Sequence, residues 1–116
     1  MKLSHITIQT DVFEQEIDFY QKYVGLIVGR DMRQMGKNIV FLSDGKGDTA
    51  IEIIEKAGAG EAGNENVSIG FHTDNLEKVY ALLADDGFQP TPFISPMPQV
   101  RFFYVKDPAG VNVQFI

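Results

Sequence analysis

The sequence predicts an α+β fold built from two copies of one unit, a strand, a helix and three further strands. Three observations carry that prediction. Runs alternating in the strand period surround just two stretches with helical periodicity. The elements come in the same order in both halves of the chain. Punctuating residues also recur at matched distances, with Asp11 and Asp74 63 residues apart, Glu14 and Glu77 likewise, and Gly25 and Gly87 62 apart. A repeat of that length means two supersecondary units, neither of which easily buries its apolar face alone.

The first copy occupies about residues 1–56. Residues 3–9, LSHITIQ, alternate, with Leu3, His5, Thr7 and Gln9 on one side and Ser4, Ile6 and Ile8 on the other. The period then lengthens in TDVFEQEIDFYQKYVG, where Phe13, Ile17, Tyr20 and Val24 form one stripe. Asp11 with Glu14 has the spacing of a capping box, and Gly25 is placed to stop the helix. Three strand-like runs follow near 26–32, 38–43 and 49–55, separated by QMGK and DGKGD.

Residues 57–65 are rich in glycine and alanine without periodicity, and they predict a flexible linker. The second copy, about 66–116, opens with the alternating NVSIGFH. DNLEKVYALLADDG then carries the stripe Leu76, Val79, Tyr80 and Leu83, with Asp74 and Glu77 at its start and Gly87 at its end. Strands are expected near 92–95, 100–105 and 111–116. KDPAG makes the last turn, with Asp, Pro and Gly each in a favoured place. The run Phe102, Phe103, Tyr104 is expected to contribute mainly to the core.

Composition narrows the function. With 116 residues, 44% of them hydrophobic, the chain is the size of one domain and buries a substantial core. No cysteine is present, so disulfides, thiolate metal sites and a cysteine nucleophile are excluded; the composition suits a reducing cytoplasm. The net charge of −6 without a basic run argues against nucleic acid and anionic membrane as partners. The N-terminus turns polar too soon for a signal peptide, and no window reaches the roughly 20 apolar residues of a membrane span. The expected partner is a small molecule or a protein.

Strand parity selects the polar candidates. Val111, Val113 and Phe115 suit packing under helices, which leaves Asn112, Gln114 and Ile116 facing the other way. In the first copy Ile51 and Ile53 oppose Ala50, Glu52 and Ile54. Both copies therefore present polar side chains on the face away from the helices, and burying such a face without a partner is costly. His5 and His72 are the only imidazoles. Arg101 is a candidate anion contact, although it shares a face with Phe103.

The two βαβββ copies, LSHITIQT at the start, the helix end DFYQKYVGL and the closing KDPAGVNVQF together resemble the vicinal oxygen chelate superfamily. That group includes glyoxalase I, bleomycin-resistance proteins, fosfomycin-resistance transferases and extradiol dioxygenases. The resemblance spans essentially the whole chain. It implies a single glyoxalase-like domain over 1–116 in which paired modules form a curved, partly closed mixed sheet around a cavity, with the helices outside. It also implies a homodimer. In metal-dependent members the ligands stand on the first and last strands of each module, and the matching positions here are His5, Glu52, Ser68 and Gln114. Spacing within the chain agrees, since His5 to Glu52 is 47 residues and Ser68 to Gln114 is 46.

The chemistry at those positions matches only in the first half. A divalent ion wants several imidazole or carboxylate donors, and a hydroxyl at Ser68 and an amide at Gln114 are poor replacements. An amide cannot serve as general base either. His72 stands about 13 Å along the strand from Ser68, too far to restore the lost imidazole, and is expected at the strand end. The expected function is therefore a cytoplasmic protein that holds a small organic molecule in the cavity between modules, using His5, Thr7, Glu52, Ser68 and Gln114 with His72 and Arg101 nearby, and no cofactor. Two alternatives stay open. One is a lyase or isomerase related to glyoxalase I, with one zinc, nickel, manganese or iron ion on His5, Glu52 and Gln114. The other is a non-catalytic interaction dimer.

Overall fold

The computed structural model describes all 116 residues. The chain divides into two compact units, Met1–Ala62 and Gly63–Ile116, and each has the predicted order of one strand, one helix and three strands. No helix is long and apolar enough to cross a membrane.

In the first unit β1 (His5–Thr10), β2 (Ile27–Asp31), β3 (Ile39–Ser43) and β4 (Ala50–Glu55) form a mixed sheet in the order β1-β4-β3-β2. β1 runs parallel to β4 because a helix and two strands carry the chain across between them, whereas β2, β3 and β4 are joined as antiparallel neighbours. Alternation separates the two faces. Ile8, Val40, Leu42, Ile51 and Ile53 are buried together with Phe13, Ile17 and Tyr20 of the helical segment. His5, Thr7, Phe41 and Glu52 stand on the opposite face, where Thr7, Glu52 and Phe41 form one row across three strands.

The helix α1 (Phe13–Phe19) starts later than the sequence suggests. Val12 is its N-cap, no side chain caps it, and the expected Asp11/Glu14 box does not form. The hydroxyl of Thr10 accepts from the Val12 amide at 3.0 Å instead, and Asp11 turns toward the Gly60 amide. Thr10 is fully buried, and its bond fixes the turn that leads into the helix without capping it. The helical stretch then widens into a π-type turn over Tyr20–Val24. That turn closes at Gly25, whose φ of 80° lies in the left-handed region that glycine tolerates.

In the second unit β5 (Ser68–Phe71), β6 (Ile94–Met97), β7 (Val100–Lys106) and β8 (Asn112–Phe115) repeat the arrangement in the order β5-β8-β7-β6, with β5 parallel to β8. The helix α2 (Leu76–Asp85) is capped by Asn75, whose side-chain oxygen accepts from the Lys78 amide at 3.1 Å. This is one residue beyond the expected Asp74. Leu83 is the fully buried residue of the predicted stripe. Phe103 lies edge-on to Tyr80 and Phe93 and stacks on Phe115. Phe102 and Tyr104 point to the other face and are half-buried, so only the middle residue of that aromatic run belongs to the core.

The DPAG turn behaves as its composition predicts. Asp107 is buried, and its Oδ1 accepts from the amides of Ala109 and Val111 at 3.0 and 2.8 Å. The end of the glycine-rich segment lies against this turn. A Cβ on Gly63 would lie 2.1 Å from the Gly110 carbonyl oxygen. Asn112 donates to the Asn64 carbonyl at 2.9 Å, and Lys106 pairs with Glu65. Lacking a side chain, Gly63 lets one backbone segment lie directly on another.

Candidate functional site

The row through Thr7 and Glu52 carries a hydrogen-bonded polar group on the first sheet. The hydroxyl of Thr7 donates to Glu52 Oε1 at 2.6 Å, and the Glu52 side chain is only 16% exposed. The Nε2 of His5 is 3.7 Å from the same oxygen, an electrostatic contact too long for a hydrogen bond. The His5 ring meets Phe41 edge-on, with centroids 5.9 Å apart, and the guanidinium of Arg30 sits above the other part of this aromatic surface, 5.9 Å from the Phe41 centroid. The face thus carries one imidazole, one carboxylate already engaged by a hydroxyl, one aromatic ring and one cation.

The second sheet carries the equivalent row in neutral form. Gly70 pairs with Gln114 as Thr7 pairs with Glu52, and Tyr104 takes the place of Phe41. Gln114 Nε2 donates to the Tyr104 hydroxyl at 3.5 Å, a long bond, and Gln114 Oε1 lies over Gly70, 3.2 Å from where a Cβ would stand. Ser68 is exposed two residues away on the same face. Beside this row, Ser68, Tyr104, Asn112 and Lys106 join Phe88 and Gln89 around an open groove of about 920 Å³.

Two sequence candidates lie elsewhere. His72 follows the end of β5, is largely exposed and contacts Asp74 at 3.2 Å, in agreement with the expected strand-end position. Arg101 stands on the Phe103 face of β7, away from Gln114. Its guanidinium pairs with Glu77 and covers the Phe93 ring at 4.5 Å. The arginine holds the Glu77 carboxyl below its ordinary range, mainly through the hydrogen bond between them. Arg101 is thus occupied as a brace between β7 and the start of α2 and offers no free cation to the polar face.

Sequence reasoning passed over Tyr104, Gly70 and Phe41. A usable signal existed for Tyr104 and Gly70, because the 63-residue offset maps Phe41 onto Tyr104 and Thr7 onto Gly70. Arg30 gave none, since a single arginine on an edge strand is ordinary surface composition.

The resemblance raises the question whether these residues suit a divalent ion. Of the candidate positions on the first unit's polar face, His5 and Glu52 are the strong metal donors, and Glu52 is shared with Thr7. Within the second unit Ser68 and Gln114 add no charge, and no three His, Asp or Glu side chains gather in either unit. The donor set does not fit a tightly held divalent cation.

The pattern of the Glyoxalase/Bleomycin resistance protein/Dioxygenase superfamily matches residues 2–115. No curated protein matches the chain. Solved structures share the fold at low identity. A possible glyoxalase from Bacillus cereus has a TM-score of 0.78 and 20% identity, covering 100% of this chain and 98% of its own. The fosfomycin resistance protein FosX from Mesorhizobium loti has a TM-score of 0.78 and 15% identity, with coverages of 98% and 89%. TnmS3, an antibiotic binding protein from Streptomyces sp. CB03234, has a TM-score of 0.72 and 17% identity, with coverages of 99% and 93%. With two βαβββ units and a family pattern that spans nearly its full length, the chain belongs to the Glyoxalase/Bleomycin resistance protein/Dioxygenase superfamily.

Proposed function

We propose that this protein binds a small organic molecule on the polar faces of its sheets and does so without a tightly held metal ion. The observation that carries the reading is the chemistry of the four equivalent positions. On the first unit these are His5 and Glu52, with Glu52 already accepting from Thr7, and on the second unit they are a hydroxyl at Ser68 and an amide at Gln114. A polar face of this kind is costly to enclose without a partner of matching hydrogen bonds. That TnmS3 shares the fold supports ligand holding as a use of this scaffold.

Calorimetric titration of the purified chain with zinc, nickel, manganese and iron tests the metal-independent half. The expected result is no stoichiometric site tighter than roughly micromolar. Stoichiometric binding that disappears in His5→Ala or Glu52→Ala would overturn it, and metal-dependent turnover of a methylglyoxal–thiol adduct would replace it with a lyase. A fragment screen read by amide chemical shifts tests the binding half, with responses expected at Thr7, Glu52 and Gln114.

A further inference from the structure

We propose that Gln114, Tyr104 and Gly70 form a subsite for a neutral donor–acceptor group, of the kind a carboxamide or lactam presents, carried on an aromatic ring. The proposal rests on the small-molecule reading above and names the chemistry of its ligand.

In the first unit the carboxylate of Glu52 is matched by a hydroxyl donor, Thr7, at 2.6 Å. The second unit has neither partner. Gln114 stands where Glu52 would, and Gly70, with no side chain, stands where Thr7 would. Gln114 Oε1 lies over the space that a side chain at 70 would fill. The neighbouring strand therefore supplies no side-chain donor to this oxygen. Tyr104, from the other side, receives the amide nitrogen of Gln114 and so keeps its own hydroxyl proton to donate.

The result is an acceptor, Gln114 Oε1, beside a donor, the Tyr104 hydroxyl, on one half-buried patch. A group with one N–H and one carbonyl oxygen satisfies both. A carboxylate satisfies only the donor and sets its charge against the amide oxygen, on a chain whose net charge is −6. Phe102 lies on the same face as Tyr104, with ring centroids 5.6 Å apart, and provides an apolar surface for an aromatic body. Tyr104 also lines the groove, which gives a bound ring room to extend.

Benzamide and benzoate are the probes, since they differ in this one group. Titrated into the full-length chain and followed by amide NMR, benzamide is expected to move the Gly70 backbone amide and the Gln114 side-chain amide, with a dissociation constant on the order of millimolar. Benzoate is expected to bind about tenfold more weakly. Tyr104→Phe removes the donor and should weaken benzamide about tenfold. Gln114→Glu should shift the preference to benzamidinium by at least that factor. Gly70→Thr, which rebuilds the internal donor seen at Thr7, should abolish the response; Gly70→Ser serves if threonine prevents folding.

Benzamide binding unchanged in Tyr104→Phe and Gln114→Glu would overturn the proposal, as would benzoate binding as tightly as benzamide. Responses to organic fragments at Thr7 and Glu52 with none at Gln114 would overturn it while leaving the broader function standing. No fragment response anywhere would remove both.

Discussion

Thr7 and Glu52 face one another across parallel strands and share a 2.6 Å hydrogen bond, while Gly70 and Gln114, in the same register, share no side-chain bond. The difference predicts different tolerance to substitution. Thr7→Val keeps the shape of the side chain but leaves a largely buried carboxylate without its donor. It should cost about 1–2 kcal/mol. Thr7→Ser should recover most of this. Urea unfolding with an unchanged slope is the measurement, and equal midpoints for the wild type and Thr7→Val would show that water replaces the hydroxyl at no cost.

Asp107 gives a larger expected loss. Its Oδ1 serves two amides in a buried turn, so Asp107→Ala removes that acceptor from both. The expected cost is roughly 2–3 kcal/mol. Asp107→Asn retains a side-chain acceptor and should fall between. Because the turn joins β7 to β8, the loss should appear first as faster hydrogen exchange in Val111 and Val113.

The fold was legible because its evidence is periodic. Strand alternation placed Ile51 and Ile53 on the core side and Glu52 opposite, and the structure keeps that division. Helix starts were less legible, since several residues compete for the same amides. No side chain caps α1, where Asp11 had the better local spacing and Thr10 holds the preceding turn, and Asn75 caps α2 where Asp74 had that spacing. The π-type turn at Tyr20–Val24 leaves no mark on a stripe that reads equally well as α-helix. Arg101 shows the limit on the site side. Parity gave its face, but that the cation was already held by Glu77 depends on where α2 starts in space.

Gly63 sits against the β7–β8 turn with no room for a Cβ, since the Val111 Cα would be 2.7 Å away and the Gly110 oxygen closer still. Both obstacles are backbone, so neither rotates aside. Gly63→Ala should therefore displace the segment, breaking the Asn112 to Asn64 bond and costing roughly 1–3 kcal/mol. Limited proteolysis is the check, with cleavage expected to appear between residues 57 and 66 in the variant. A variant as resistant as the wild type would mean that the backbone shifts without releasing its contacts.

The pair Asp31 and Arg33 predicts a local acid transition. Arg33 donates to both oxygens of Asp31, from Nε and Nη2, and adds its own backbone amide at 3.0 Å. Side-chain hydrogen bonds from the guanidinium, more than the charge itself, pull the Asp31 pKa from 3.8 down to about 2. A carboxyl whose folded pKa is depressed contributes its stability above the unfolded value, and loses it as pH falls through the folded one. This contribution should therefore be complete above about pH 4 and decline toward pH 2. Arg33→Ala removes the guanidinium and leaves only the backbone amide, so the Asp31 midpoint should rise most of the way toward 3.8. Carboxyl carbon NMR reads that midpoint directly. Because the pair is exposed at the end of β2, global stability at neutral pH should hardly change in the variant, and an unmoved midpoint would show that the backbone amide alone holds the carboxylate.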